Sequence, residues 1–416
     1  MTAETPFTIA ISDSELELLQ RKLELTGLPD ELEDAGWDYG VPLADVRRLV
    51  DHWKGSYDWR KAEAELNAEL PQFTRDIEVD EHGTLNVHYV HKKSDASGAI
   101  PLLFVHGCKC RALEEICNKL TLVTGPGSFI EVRKILPMLT APPEDTQAFH
   151  VVAVGLPGYG FSEAPHKKGF GPIQMAEVGH KLMLALGYDQ YVAQGGDWGS
   201  IITRIIAAKY GPTHVKAWHT NMIIPGPPHP IRDPLRFLRF MVTPLSNAER
   251  RGMARGLEFR KIGMGYLMEQ ATKPQTIGYS LADSPVGLLS WIYEKLVAWT
   301  DNYPWTDDEV LTWVSIYWFS RAGPTSAGRL YYENRVSTKE LEKYNVRVHT
   351  GFSYFPQELF RAPKALTRNL GKVVQDTEHE KGGHFAAWEV PELLVGDLRK
   401  MFGKGGPAHG VVQAKM

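Results

Sequence analysis

The stretch Gln194-Gly195-Gly196-Asp197-Trp198-Gly199 decides the fold, because it joins an apolar segment to a helical one. Its pattern is glycine, any residue, a nucleophile, any residue and glycine, with an aspartate at the nucleophile position. So sharp a turn strains the central residue, and side chains at Gly195 and Gly199 would clash across it. The helix that follows presents free N–H groups and a positive dipole to the carboxylate. Asp197 is therefore the candidate nucleophile, although Gly-Gly-Asp also occurs in ordinary turns and aspartate is a common N-cap.

Short apolar segments alternate with helical ones on both sides of this turn. Strand-like patterns occur at 85–91, 100–105, 150–154, 190–193, 214–218, 346–349 and 372–374. Helical spacing of apolar residues separates several of them, as at 173–186 and 199–210. Buried strands that alternate with helices are typical of a mostly parallel, doubly wound sheet, so the predicted fold class is α/β.

The chain is predicted to divide into five segments. Residues 1–95 are an extension that begins with helices, the first opened by a capping box of Ser12 and Glu15. Residues 96–225 and 341–403 carry the sheet. Between them, residues 226–340 are rich in proline at first and then helical and aromatic, which predicts a helical lid over the carboxyl edge of the strands. Residues 404–416 are predicted to be a flexible tail.

Composition excludes several classes of protein. The 416 residues carry 46 basic and 50 acidic side chains, so nucleic acid is not expected as the main partner. No run approaches the roughly 18 apolar residues of a membrane span, and the start has no basic-then-apolar secretory pattern. We therefore predict a cytoplasmic protein. The alternative is the peroxisome, because Ala414-Lys415-Met416 is a loose variant of the small-basic-apolar terminal tripeptide.

Two further segments complete a candidate catalytic triad. The segment Gly382-Gly383-His384-Phe385 follows the last predicted strand, and Glu358 follows the predicted strand 346–349. The order nucleophile, acid and histidine is the order of the α/β-hydrolase fold. Asp197, Glu358 and His384 are the predicted members.

These motifs together resemble the epoxide hydrolases of the α/β-hydrolase fold. The resemblance is to the branch with an N-terminal extension, the microsomal-type enzymes and their fungal relatives. It runs from 57–60 and 71–73 through 195–199 and 355–358 to 382–389. The family holds the epoxide oxygen with two lid tyrosines, and the resemblance assigns these roles to Tyr266 and Tyr331, with Tyr332 as the alternative to Tyr331.

The chemistry of an epoxide explains why an aspartate takes the place of serine. An epoxide has no carbonyl group, and a carboxylate that attacks carbon leaves an ester that water can cleave, whereas serine would leave an inert ether. His384, supported by Glu358, would activate that water, and the N–H of Trp198 with one from the loop after strand three would hold the oxyanion. The expected partners are a small apolar epoxide and water, with no cofactor and no metal, and a homodimer through the N-terminal extension is an option.

The loop after strand three departs from the family. The family pattern is His-Gly-Trp-Pro-Gly-Ser-Phe, and replacing Cys108–Gly125 by one tryptophan restores it between Gly107 and Pro126. We interpret the segment as an intron retained and translated in frame, which would impair this form of the protein. A genuine lineage-specific loop is the first alternative. Zinc ligation is the second, because the three cysteines of the chain, Cys108, Cys110 and Cys117, all lie here beside His106.

Two other functions remain open at this stage. Haloalkane and haloacid dehalogenases share the aspartate and a tryptophan after it, as Trp198 is here. A non-catalytic protein that binds a small molecule under the lid is the other alternative, because the departure at 108–125 affects the predicted oxyanion loop.

Overall fold

The computed structural model describes residues 4–107, 126–226, 230–231, 233–334, 341 and 343–412. Within these ranges nine strands form one sheet: β1 Thr5–Phe7, β2 Gln72–Val79, β3 Gly83–Lys92, β4 Ile100–Val105, β5 Phe149–Val154, β6 Tyr191–Gly195, β7 Val215–Thr220, β8 His349–Tyr354 and β9 Lys372–Glu378. Their order is β1-β2-β3-β5-β4-β6-β7-β8-β9. The pairs β1–β2, β2–β3 and β3–β5 are antiparallel. The pairs β5–β4, β4–β6, β6–β7, β7–β8 and β8–β9 are parallel. The mostly parallel sheet predicted from the sequence is confirmed.

Helices pack on the sheet and also form the lid and part of the N-terminal extension. The α-helices of the described residues are α1 Asp13–Glu24, α2 Leu43–Gly55, α3 Trp59–Glu69, α4 Ile135–Thr140, α5 Pro172–Ala185, α6 Trp198–Tyr210, α7 Pro234–Val242, α8 Asn247–Ile262, α9 Gly265–Thr272, α10 Pro274–Asp283, α11 Pro285–Ala298, α12 Asp307–Trp318, α13 Ser326–Glu333, α14 Lys364–Thr367, α15 Ala386–Glu389 and α16 Pro391–Phe402. The predicted capping box opens α1, where the Ser12 hydroxyl accepts from Glu15 N and the Glu15 carboxylate accepts from Ser12 N. None of these helices is long and apolar enough to cross a membrane.

The core lies on both faces of the central strands. Leu103 of β4 faces α5 and α6, because its side chain and that of Ile206 border the backbone of Gly179. Phe149 pairs with Ile100, three residues before Leu103, so it points to the opposite face, where its ring lies 6.0 Å from that of Phe402 in α16. Strands buried on both faces need continuous apolar sequence, which explains the runs of valine and leucine in β4 and β5.

The lid and the N-terminal extension pack against each other. Helices α7–α13 follow β7 and precede β8, and α2 and α3 of the extension pack on α11 and α12. The hydroxyls of Tyr57 and Thr312 lie 3.1 Å apart, and the ring of Trp59 lies 5.1 Å from that of Phe319. The extension thus supports the lid within one chain. The homodimer through this extension stays a prediction.

The structure corrects two predictions and adds two strands. The predicted strand bounds 346–349 are wrong, since β8 begins at His349 and continues to Tyr354. Val346 and Val348 are buried without strand pairing, whereas the small residues Thr350, Gly351 and Ser353 allow β8 to lie between β7 and β9. Strands β1 and β2 were not expected.

The predicted flexible tail is also different in its described part. Ala408 is buried, and its N–H donates to the carbonyl of Met401 at 2.9 Å. Glycines supply the turns that return the chain to the end of α16, as at Gly405 with φ +79°. A glycine-rich composition indicated flexibility, but here the glycines serve tight turns.

Two predictions concern residues outside the described ranges. The segment 108–125, with its three cysteines, is one, and the terminal tripeptide Ala414-Lys415-Met416 is the other. The zinc alternative and the choice between cytoplasm and peroxisome therefore stay predictions.

The close packing of α6 on β4 gives the first testable prediction. A Cβ at Gly199 would lie 1.9 Å from the carbonyl oxygen of Val105, so Gly199→Ala must push the helix from the strand. We expect it to lower the free energy of unfolding by about 3 kcal/mol or more in chemical denaturation. The matched control is Gly396→Ala in α16, where nothing lies within 4 Å of the new methyl group, and it should stabilise the protein by about 1 kcal/mol. Equal stability of Gly199→Ala and the wild type would contradict this packing.

Candidate active site

Asp197 stands at the turn between β6 and α6 in a strained conformation. Its φ is +56° and its ψ is −130°, a combination that residues with side chains rarely adopt. A Cβ at Gly195 would lie 2.2 Å from the carbonyl oxygen of Gly199, so the turn closes only without side chains there. The N–H of Trp198 donates to Asp197 Oδ1 at 2.5 Å, which fixes one carboxylate oxygen at the start of the helix.

His384 lies between two buried carboxylates. Its Nε2 is 2.5 Å from Asp197 Oδ2, and its Nδ1 is 2.9 Å from Glu358 Oε1. All three side chains are at most 5% exposed. Glu358 follows β8 and His384 follows β9, so parallel pairing of these strands beside β6 and β7 brings three distant loops to one edge of the sheet. The structure thus brings the three predicted triad residues into direct contact.

The charges of this group depend on one another. Burial raises the pKa of Asp197 to about 6, although the imidazole of His384 and the N–H of Trp198 favour the carboxylate. Burial alone would lower the pKa of His384, but the charges of Glu358 and Asp197 raise it to about 10. At neutral pH these two pKa values favour an ionised Asp197 beside an imidazolium, and a carboxylate nucleophile must be ionised to attack.

The two predicted lid tyrosines are on neighbouring helices. Tyr266 lies in the first turn of α9 and Tyr331 lies in α13, which packs against α9. Both side chains are buried, whereas Tyr332 is 46% exposed, which favours Tyr331 over its neighbour. The ring of Tyr266 lies 5.6 Å from that of Trp299, which in turn lies 5.2 Å from the ring of His384. Tyr266 is thereby connected to the triad through one aromatic side chain.

The backbone beside Trp198 is that of the loop after β4. A Cβ at Gly107 would lie 2.7 Å from Trp198 N, so Gly107 packs directly on the residue that holds Asp197 Oδ1. The second oxyanion donor was predicted from this loop, which continues with the residue after Gly107. That residue is Cys108 in this chain and lies outside the described ranges.

The described residues on the two sides of the segment 108–125 lie close together. A Cβ at Gly127 would lie 2.6 Å from the carbonyl oxygen of Gly107, so the two residues are in contact. Two side chains of lid helix α12 hold this return: the indole N–H of Trp313 donates to the Pro126 carbonyl, and the Tyr317 hydroxyl donates to the Gly127 carbonyl at 2.6 Å. Gly107 and Pro126 are thus held near each other by contacts that do not involve 108–125.

Three residues of this site were not predicted from the sequence. Glu131 is buried in the 3₁₀ turn Phe129–Val132, and burial together with the charge of Asp197 raises its pKa to about 8. Its Oε1 has no hydrogen-bond partner among the residues that the structure describes. Trp299 contacts His384, and Glu389 accepts hydrogen bonds from the backbone of Phe385 in the histidine loop and of Asp301 after α11. No spacing rule marks such residues, since each acts through a segment far away in the chain.

Metal-ligating side chains do not cluster in the described part of the chain. No group of three or more histidine, cysteine, aspartate or glutamate side chains there has the arrangement of a metal site. His106 is described and buried, with its ring 5.9 Å from that of Tyr159, but the cysteines of the zinc alternative are not described.

Two family models match the chain. The model described as the epoxide hydrolase N terminus matches residues 4–114, and the model of the alpha/beta hydrolase fold matches residues 122–243. The first ends and the second begins within the segment 108–125. The α/β-hydrolase fold is thereby confirmed.

Named relatives and solved structures extend this similarity over the whole chain. Epoxide hydrolase 1 of Sus scrofa is 36% identical over 96% of this chain and 88% of its own length. The structure of the Aspergillus niger epoxide hydrolase is 33% identical, covers 95% of each chain and has a TM-score of 0.79. The juvenile hormone epoxide hydrolase of the silkworm Bombyx mori is 28% identical, covers 96% of this chain and 93% of its own, and has a TM-score of 0.82.

Proposed function

The chain belongs to the epoxide hydrolase family, and we propose that it opens an epoxide to a vicinal diol through a covalent ester of Asp197. The observation that carries this proposal is the contact of His384 with Asp197 on one side and Glu358 on the other. A nucleophile, a base that can activate water, and an acid that supports the base are the groups that the two steps require.

In the first step Asp197 attacks a carbon of the epoxide. Oδ1 is held by the Trp198 N–H, so Oδ2 is the attacking oxygen, and it gives up its hydrogen bond to His384 as the ester forms. The carbon–oxygen bond of the ring breaks, and the departing oxygen accepts hydrogen bonds from the hydroxyls of Tyr266 and Tyr331. General-acid help of this kind contributes about 10²- to 10⁴-fold.

In the second step water cleaves the ester. Esterification removes the negative charge of Asp197, one of the two charges that raise the pKa of His384. The imidazolium then gives its proton to the alkoxide that ring opening left, and the neutral imidazole can take a proton from water while Glu358 continues to orient it. The water attacks Cγ of Asp197, and the oxyanion develops on Oδ1 at the Trp198 N–H. The bond between Cγ and the ester oxygen Oδ2 then breaks, and the leaving alkoxide takes the second proton of the attacking water. Asp197 is thereby a carboxylate again, and His384 keeps the first proton as an imidazolium.

The proposed substrate is a small, mainly apolar epoxide. Aromatic side chains lie between the lid and the triad, since Trp299 contacts both Tyr266 and His384 and its ring stacks on that of Phe385 at 6.3 Å. The dehalogenase alternative is not favoured, because the relatives that match the chain over its length are epoxide hydrolases.

Removing the nucleophile and removing the base should have different results. Asp197→Ala should abolish diol formation, because no group remains to open the ring. His384→Gln should still open the ring but not hydrolyse the ester, so the protein should accumulate with a mass equal to enzyme plus substrate in intact-protein mass spectrometry. His409→Gln, a change at an exposed histidine, is the control and should neither lose activity nor retain an adduct. Normal turnover by His384→Gln, or substantial activity of Asp197→Ala, would contradict the assignment.

We also propose that the segment 108–125 is a translated retained intron. The support is the contact between Gly107 and Gly127, since four consecutive residues whose end Cα atoms lie within about 7 Å form an ordinary β-turn. One residue between Gly107 and Pro126 would make such a turn, and the contacts of Trp313 and Tyr317 would hold it. The N–H of that residue would supply the second oxyanion donor.

Replacing Cys108–Gly125 by one tryptophan should therefore improve catalysis. Loss of one oxyanion donor costs about 10²- to 10³-fold, so the 416-residue form should hydrolyse its ester more slowly than the short form by about this factor. Rapid-quench measurement of ester formation and ester hydrolysis separates this effect from a general loss of folding, which would lower both. Equal hydrolysis rates for the two forms, or transcripts that all retain the segment, would contradict the proposal.

A further inference from the structure

Three hydrogen bonds join the lid to the segment that carries His384, and a fourth lies within that segment. The segment that follows α11 contributes the carbonyl of Trp299, which accepts from His384 N at 3.0 Å, and the carboxylate of Asp301, which accepts from Gly382 N at 2.8 Å. The other two bonds are made by Glu389, whose Oε2 accepts from Asp301 N at 2.7 Å and whose Oε1 accepts from Phe385 N at 2.9 Å. Glu389 is thus the side chain that binds both segments at once.

The contact between the two segments is too close for side chains on the loop. A Cβ at Gly383 would lie 2.6 Å from the carbonyl oxygen of Trp299 and 3.0 Å from both Asp301 N and Glu389 Oε1. The backbone of the histidine loop therefore rests directly on the lid. A shift of this contact moves His384, since His384 and its neighbours on both sides, Gly383 and Phe385, all take part in it.

The carboxylate of Glu389 is suited to this role and to no step of the proposed reaction. It is partly buried, and its two oxygens each face one backbone donor. Burial raises the pKa of Glu389 to about 7, while the N–H groups of Asp301 and Phe385 act in the opposite direction by favouring the charged form. It hydrogen-bonds neither Asp197 nor His384 among the described residues, so it reaches the reaction through the position of the loop and through the interaction of its charge with that of His384.

We infer that Glu389 is a positioning residue for the hydrolytic step, which holds the His384 loop against the lid. This inference rests on the proposed function, because only the ester mechanism divides the reaction into a step that needs His384 as a base and one that does not. A displaced His384 would slow ester hydrolysis and leave ring opening by Asp197 nearly unchanged. Simple destabilisation would instead reduce both steps, or the amount of active enzyme.

The test is a rapid-quench comparison of both steps in Glu389→Gln. Glutamine has nearly the same shape but only one acceptor oxygen, so its NH₂ group would face one of the two backbone N–H groups. We expect ester hydrolysis to fall by about 10- to 100-fold, ring opening to stay within about twofold, and the covalent adduct to accumulate. Asp301→Ala keeps its backbone N–H but removes the acceptor for Gly382 N. It should likewise slow ester hydrolysis and leave ring opening nearly unchanged.

The matched control is Glu392→Gln, three residues further along the chain. Glu392 pairs with Lys381 at 3.1 Å, next to the same loop, but both side chains are more than half exposed. Both steps should stay within about twofold of the wild type in this variant. If the wild type itself forms no adduct, the proposed function fails. If the wild type forms it and both Glu389→Gln and Asp301→Ala hydrolyse it at the normal rate, or lose both steps equally, this inference alone is wrong.

Discussion

The ion pair between His384 and Asp197 is the interaction on which the rest of the structure depends. The side chains of His384, Asp197 and Glu358 are almost fully buried there, so each charge is tolerated only because the others compensate it. The three side chains come from loops after β6, β8 and β9, and the parallel register of the sheet must bring those loops together. The strain at Asp197 and the glycines around it follow from this requirement, since the carboxylate must stand between a strand and the start of a helix.

The lid has two tasks in this arrangement. It carries Tyr266 and Tyr331, the proposed donors to the epoxide oxygen, and it holds two loops of the core: the backbone at Pro126 and Gly127 through α12, and the histidine loop through Trp299 and Asp301. The N-terminal extension packs behind α11 and α12 and supports them. Closing the site excludes water, which strengthens every electrostatic interaction inside it. The extension thus supports the lid, and the lid holds the loop that carries His384.

Local patterns predicted the turn that carries Asp197 and the capping box of α1, because close backbone approach and helix capping each require particular residues. Chain order then added Glu358 and His384. The two tyrosines came from resemblance, since an aromatic residue in a lid is ordinarily a packing residue. Glu131, Trp299 and Glu389 could not be predicted, because each acts where segments far apart in the chain meet. The bounds of β8 were predicted wrongly because buried residues alternate at Val346 and Val348 as in a strand. The true strand contains small residues, whose place in the sheet is explained only by the strands on either side.

The most direct test of the covalent mechanism follows the oxygen of water. The protein is mixed in excess with an epoxide in water labelled with ¹⁸O, so that each molecule turns over at most once. If Asp197 forms the ester, the new oxygen of the first diol comes from its carboxylate, so that diol should be unlabelled and the label should enter Asp197. Label in the first diol, with none in Asp197, would mean that water attacks the epoxide directly and would contradict the account.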